Sequence, residues 1–322
     1  MKQSVLVLGA SGFIGGAVVG GLTQSSSAVP IIGVRRPWPS PQTLPMLEQR
    51  VIDATQVPSI AAALENVDCI VNCVAGDAQT FVSSATALIT AARSAPNSPR
   101  VIHLSTMSVY GSTVGSVDES APLRADLGAY SEAKVAAERI ASAYPHAVIL
   151  RPGCVFGPGS EQWTVRYARL LLARRLGDLG ASGDGQCNLV DIGDVVQSIL
   201  GAIENRQTDG GVFNLAIPES LSWNDFLTRF AIALHAVPVR RIGARRLRIE
   251  GKLLAPALKI LEIAGKKVGM RQLPPPIPPS LLRLMAQDIR LDSRRAHDQL
   301  GIRFRSVEQM LCEAAQWYLN RR

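Results

Sequence analysis

Val5-Leu6-Val7-Leu8-Gly9-Ala10-Ser11-Gly12-Phe13-Ile14-Gly15-Gly16 decides how the rest of the chain is read. Its first four residues are an apolar run without alternation, the pattern of a parallel strand buried on both faces. Gly9, Gly12 and Gly15 follow at three-residue intervals, and the small apolar segment from Phe13 to Leu22 suits a helix. Strand, glycine turn and helix start are the setting in which a dinucleotide diphosphate is held. Gly9 permits the tight turn, Gly12 lets the backbone approach a pyrophosphate, and Gly15 lets helix and strand pack closely. The amides that open the helix face the diphosphate at the positive end of the helix dipole. Ser11, Phe13 and Ile14 complete this candidate cradle. The bland alternative is a glycine turn without a ligand, and the motifs further along the chain count against it.

Length and composition bound the answer. A chain of 322 residues, 47% hydrophobic and 19% charged, describes an ordered protein with one large α/β domain or two closely packed ones. Net charge is +8, which suits a basic cofactor enzyme and would favour anionic ligands. Aromatic residues make up only 5% and no recognition motif accompanies the charge, so nucleic acid is not an expected partner. The five cysteines contain no C-x-x-C pair and read as free thiols in a reducing compartment. The four histidines lack metal-ligand spacing, so no metal site is expected. Lys2 followed by apolar residues resembles a signal peptide only superficially, because the glycine turn explains the same residues. A cytoplasmic location is expected.

Alternation of strands and helices continues. Pro30–Arg35, Val51–Asp53, Cys69–Val74, Arg100–Thr106 and Ala147–Leu150 read as strands; 59–65, 80–93 and 127–143 read as helices. The pattern predicts a doubly wound parallel sheet with its ligand across the carboxyl ends of the strands. Arg35 and Arg36 end the second strand, where an acidic residue would accept from a free ribose hydroxyl and arginine would pair with a 2′-phosphate. NADP(H) is therefore favoured, with NAD(H) kept open. Asp53, beside Ala54, suits a contact to the adenine.

Tyr130-Ser131-Glu132-Ala133-Lys134 puts a phenol and an ammonium one turn apart on one helix face. A free phenol titrates near 10, and a neighbouring ammonium would bring it towards the working range. A surface pair at this spacing is the commoner reading of such a motif alone. Here Ser105-Thr106-Met107-Ser108-Val109-Tyr110-Gly111 also follows the fifth strand, and Arg151-Pro152-Gly153-Cys154-Val155-Phe156-Gly157-Pro158-Gly159 follows the sixth.

With these four motifs in order, the sequence resembles the extended branch of the short-chain dehydrogenase/reductase superfamily, the NAD(P)-dependent epimerases and dehydratases. Gly183-Asp184-Gly185, Asn188–Val196 and Val212–Leu215 also fit. The resemblance implies a Rossmann-type doubly wound sheet over residues 1–159. It implies a smaller C-terminal α/β substrate-binding region over 160–322, with some segments returning to the core. It implies Tyr130 as acid–base, Lys134 on the nicotinamide ribose and lowering the tyrosine pKa, and Thr106 on the reacting oxygen, with Ser105 one residue out of register. Asn72, Val74 and Ala75 would line the nicotinamide side, and Pro152 and Val155 would also touch the cofactor. A homodimer through the helices at 80–93 and 127–143 is a further implication.

The activity so implied is hydride transfer between nicotinamide and a carbonyl or secondary alcohol of a small-molecule substrate. Epimerisation or dehydration of a nucleotide-sugar with tightly bound NAD is the first alternative. A non-catalytic NADP(H)-sensing or assembly protein is the second, and an acid–base tyrosine argues against it. Relatives acting on nucleotide-sugars usually carry Asn where this chain has Cys154 and Arg where it has Cys187. Cysteine offers neither amide nor guanidinium to a diphosphate, so a substrate without one is expected. Helices are expected at 163–176, 193–204, 222–235, 245–267, 279–287 and 306–318, with short strands near 187–190 and 212–215. Arg240–Arg248 is a basic cluster, followed by the apolar stretch Leu253–Ile263 and Lys266-Lys267. A helix closing the substrate cleft is the favoured reading, and peripheral membrane contact the less favoured one. Pro274–Pro279 reads as a stiff spacer.

Overall fold

A computed structural model describes residues 2–37, 47–250 and 276–321. Most of the loop at 37–45, the apolar stretch 253–263 with Lys266 and Lys267, and Pro274 and Pro275 lie outside the described residues. Strands β1 (Gln3–Leu8), β2 (Ala28–Val34), β3 (Gln49–Val51), β4 (Cys69–Asn72) and β5 (Arg100–Leu104) come first. The short β6 (Gly115–Val117) precedes β7 (Ala147–Pro152) and β8 (Cys154–Phe156); β9 (Leu189–Asp191), β10 (Val212–Leu215) and β11 (Ile289–Leu291) follow. Seven of them form one parallel sheet in the order β10-β7-β5-β4-β1-β2-β3.

The unalternating run Val5–Leu8 is wholly buried because both sheet faces are covered. Helices α1 (Phe13–Gln24), α2 (Val57–Ala62), α3 (Ala78–Ser94), α4 (Ala129–Ser142), α5 (Arg166–Leu172) and α6 (Ile192–Glu204) flank the strands. Val18, Val19 and Leu22 of α1 share a core with Val195 and Ile199 of α6 on one face. Ile60, Leu88 and Ala92, from α2 and α3, cover the other. From β1 the chain runs outward through β2 and β3, then crosses to β4 and proceeds the opposite way. The carboxyl ends of β1 and β4 therefore border the crevice at which such sheets bind ligands.

A second core lies beside β8 and β9, which pair with each other. It contains Phe156, Tyr167, Trp223, Phe226 and Phe230, drawn from β8, α5 and α7 (Trp223–Ala233). The chain continues through α8 (Ala244–Ile249), α9 (Pro279–Met285), α10 (Arg294–Leu300) and α11 (Val307–Leu319). The helix expected over 163–176 is shorter. A five-residue π turn, Glu161–Val165, precedes α5, and there the Thr164 hydroxyl donates to the Gly157 carbonyl at 2.7 Å, a local competitor of regular helix. The β6–β11 pair and α10 were not expected; three-residue strands carry too little alternation to read. No helix among the described residues is long and apolar enough to cross a membrane.

Candidate active site

At the β1–α1 turn Gly9 adopts φ +76°, open to glycine at little cost. A Cβ there would stand 2.6 Å from the Cys73 carbonyl oxygen at the end of β4, and one on Gly15 would stand 2.2 Å from the Gly9 carbonyl oxygen. Glycine thus closes the sheet's switch point and seats α1 on β1. Gly12 precedes α1 with no side-chain cap, leaving the first amides of the helix facing outward, as a diphosphate requires. Ser11 is exposed, and Phe13 and Ile14 are half-buried beside it.

Arg35 and Arg36 stand exposed just beyond β2. Strand β3 stops at Val51, two residues short of the expected end, because Asp53 opens a turn: its Oδ1 accepts from Thr55 N at 2.9 Å and Thr55 Oγ1 at 2.7 Å. Those bonds, helped by the charge of Arg35, hold the Asp53 carboxyl below its usual range. Ala54 is half-buried next to it.

Asn72 is turned inward. Its Oδ1 accepts from Val74 N at 3.2 Å, and its amide nitrogen meets His103 Nδ1 at 3.2 Å. Burial, then the charge of Lys134, pushes His103 down to about 3, so the imidazole stays a neutral acceptor. Asn72 reaches the crevice through the Val74 backbone, while Ala75 is exposed there. On the far side Pro152 and Val155 are buried.

Thr106 follows β5, caps the turn Met107–Tyr110 and is nearly buried. Tyr130, near the start of α4, is half-exposed, with its ring edge-on to Phe81 at 5.6 Å. Lys134, one turn on, is buried; its Nζ donates to the Leu104 carbonyl at 2.9 Å and lies 4.5 Å over the Phe81 ring. Burial lowers the Lys134 ammonium to about 8, opposed by the Glu138 carboxylate one turn on. The phenol of Tyr130 is raised by burial, and the nearby Thr106 hydroxyl acts the other way. This corrects the expectation of a phenol lowered by Lys134. The ammonium is directed at the Leu104 carbonyl and the Phe81 face, and burial outweighs any lowering of the phenol.

The Ser105 hydroxyl donates to buried Glu138. Phe81, His103 and Glu138 had no sequence signal beyond the spacing of four between Lys134 and Glu138. Cys154 and Cys187 are both 2% exposed within the aromatic core, and burial pushes both thiols up. Among the described residues no group of three histidine, cysteine or carboxylate side chains is arranged to hold a metal.

Known structures share this architecture. A UDP-glucuronic acid 4-epimerase from Bacillus cereus in complex with NAD is 19% identical, with a TM-score of 0.73, covering 98% of this chain and 96% of its own. A UDP-glucose 4-epimerase from Thermotoga maritima with UDP-glucose is 17% identical, with a TM-score of 0.73 and 99% of each chain covered. A dTDP-glucose 4,6-dehydratase from Bacillus anthracis in complex with NAD is 18% identical, with a TM-score of 0.74, covering 99% and 97%. At these identities the likeness establishes the fold. No curated protein matches the sequence. The model of the NAD dependent epimerase/dehydratase family matches residues 5–216, from β1 through the last strand of the central sheet. With the glycine turn, the Thr106 and Tyr130 hydroxyls and Lys134 all inside that span, the chain belongs to the NAD-dependent epimerase/dehydratase family.

Proposed function

We propose that this protein transfers hydride between a nicotinamide cofactor, NADP(H) in preference to NAD(H), and a carbonyl or secondary alcohol, with Tyr130 as acid–base. One observation carries the reading. Thr106, at the end of β5, and Tyr130 and Lys134, one turn apart on α4, gather at the carboxyl end of the sheet that also carries the glycine turn. The turn would hold the diphosphate, and Val74 and Ala75 would border the nicotinamide side. Bound there, the cofactor supplies the hydride acceptor or donor. Tyr130 exchanges a proton with the substrate oxygen at its phenol, Thr106 orients that oxygen by a hydrogen bond, and Lys134 supplies positive charge next to the proton transfer. The NADP(H) preference rests on exposed Arg35 and Arg36, and a substrate without a diphosphate rests on the buried Cys154 and Cys187.

The family's description supports a second reading, epimerisation or dehydration with no net redox change. Calorimetric titration of NADPH and NADH into wild type and Arg35→Ala/Arg36→Ala tests the cofactor. NADPH is expected to bind about tenfold or more tightly than NADH, with the preference lost in the variant. If NADH binds as well or better, the preference is wrong and the second reading moves ahead. Stoichiometric loss of absorbance at 340 nm with carbonyl compounds separates net reduction from epimerisation.

A further inference from the structure

A buried polar chain runs behind the residues that face the crevice. Glu138 lies one helical turn after Lys134 on α4 and is 1% exposed. Its Oε1 accepts from Arg151 Nη2 at 2.6 Å and Nε at 3.0 Å, and its Oε2 accepts from the Ser105 hydroxyl. Arg151 comes from β7, and Ser105 immediately precedes Thr106. The other arm of the guanidinium, Nη1, donates to the Tyr110 hydroxyl at 2.7 Å, and Tyr110 donates to Asn214 Oδ1 on β10 at 2.6 Å. One carboxylate therefore joins the ends of two sheet strands to the helix that carries Tyr130 and Lys134.

Stability alone is a weak reason for this arrangement. A buried ion pair often gives way to apolar side chains of similar volume at little or no cost. What apolar residues could not supply is a fixed negative charge one turn from Lys134. The other groups around that ammonium are the Leu104 carbonyl, the Phe81 ring, the Cys73 thiol, the imidazole of His103 and the phenol of Tyr130. At neutral pH the thiol, raised to about 12, the imidazole and the phenol are all uncharged. The acidic side chain beside Lys134 on α4 is Glu138, and its cationic partner Arg151 turns its other arm away to Tyr110.

Resting on the reading of Thr106, Tyr130 and Lys134 as the catalytic group, we propose that Glu138, clamped by Arg151 and Ser105, is a positioning residue that keeps the Lys134 ammonium charged and ties the end of β5 to α4. Burial pulls Lys134 towards its neutral form, and Glu138 opposes that pull.

The test needs no substrate. Protein labelled with [ε-13C]lysine is titrated by NMR, with Lys134 assigned from Lys134→Arg. Wild type is compared with Glu138→Gln and with the apolar double variant Glu138→Leu/Arg151→Met, and NADPH affinity is measured by fluorescence at pH 6 and pH 8. In both variants the Lys134 midpoint is expected to fall by about one pH unit, with NADPH affinity several-fold weaker at pH 8 and close to wild type at pH 6. An unchanged midpoint in either folded variant overturns the proposal. So does failure of both variants to fold, which would make the pair a structural requirement. If the midpoint falls but Lys134→Met binds NADPH as wild type does at both pH values, the positioning stands and the functional reading fails.

Discussion

The Lys134 ammonium lies 4.5 Å over the centre of the Phe81 ring, a side chain from α3 set against α4. The same ring meets Tyr130 edge-to-face at 5.6 Å and 82°. One apolar residue thus braces both polar groups of the Y-x-x-x-K motif and seals them against the helix pair that Ala85, Ala133 and Ala137 close. Phe81→Ala is expected to cost about 3 kcal/mol in denaturant unfolding. Loss of the cation–π contact, worth about 1 kcal/mol, should weaken NADPH binding about fivefold. Unchanged cofactor affinity in the folded variant would reduce Phe81 to packing alone.

Tyr130→Phe keeps the ring against Phe81 and removes the proton. Carbonyl-dependent oxidation of NADPH should fall by a factor of about 10² to 10⁴, while calorimetry finds cofactor affinity within about twofold of wild type. A variant that turns over like wild type would remove Tyr130 from the chemistry.

Lys134 makes stability depend on pH in the alkaline range. Its folded value of about 8 lies below the ordinary 10.5, so between these values the unfolded chain binds more protons, and stability contributed by this group rises with pH. Below about pH 8 the buried charge is a net cost, at most on the order of 3 kcal/mol. Lys134→Met should therefore be more stable than wild type in urea at pH 7, with the gain shrinking towards pH 10. A variant less stable than wild type at pH 7 would contradict the burial cost.

Arg100 fastens the opposite end of the sheet. Its guanidinium, 2% exposed, contacts Asp209 Oδ1 at 2.6 Å, donates to Thr208 Oγ1 and the Asn205 carbonyl at 2.8 Å each, and reaches the Ala202 carbonyl at the end of α6. Arg100→Met strands those acceptors and should lower unfolding free energy by roughly 2–3 kcal/mol. Cofactor affinity should not change, since the residue sits at the amino end of β5.

Thiol chemistry separates the cysteines. Cys312 is exposed, Cys69, Cys154 and Cys187 are buried, and burial raises Cys69 and Cys73 to about 12. One fast equivalent of Ellman's reagent is expected in the native protein, removed by Cys312→Ser, with the remaining four released on unfolding. Rapid reaction of a second thiol would place another cysteine at the surface.

Much of this molecule was legible before folding. Buried parallel strands write themselves as apolar runs such as Val5–Leu8, and a glycine that must take positive φ or admit a backbone oxygen is dictated by local sterics, as at Gly9 and Gly15. Helical spacing alone set Tyr130 and Lys134 along one face of α4. Local rules of this kind determined the doubly wound fold, its glycine turn and the family. Direction and environment belonged to the tertiary structure. Only packing turned Lys134 onto Leu104 and Phe81 instead of towards the phenol, turned Asn72 inward to His103, and closed the aromatic core over Cys154 and Cys187. Those outcomes depend on partners from distant strands and helices, and the charge a buried group carries follows from the field of all its neighbours.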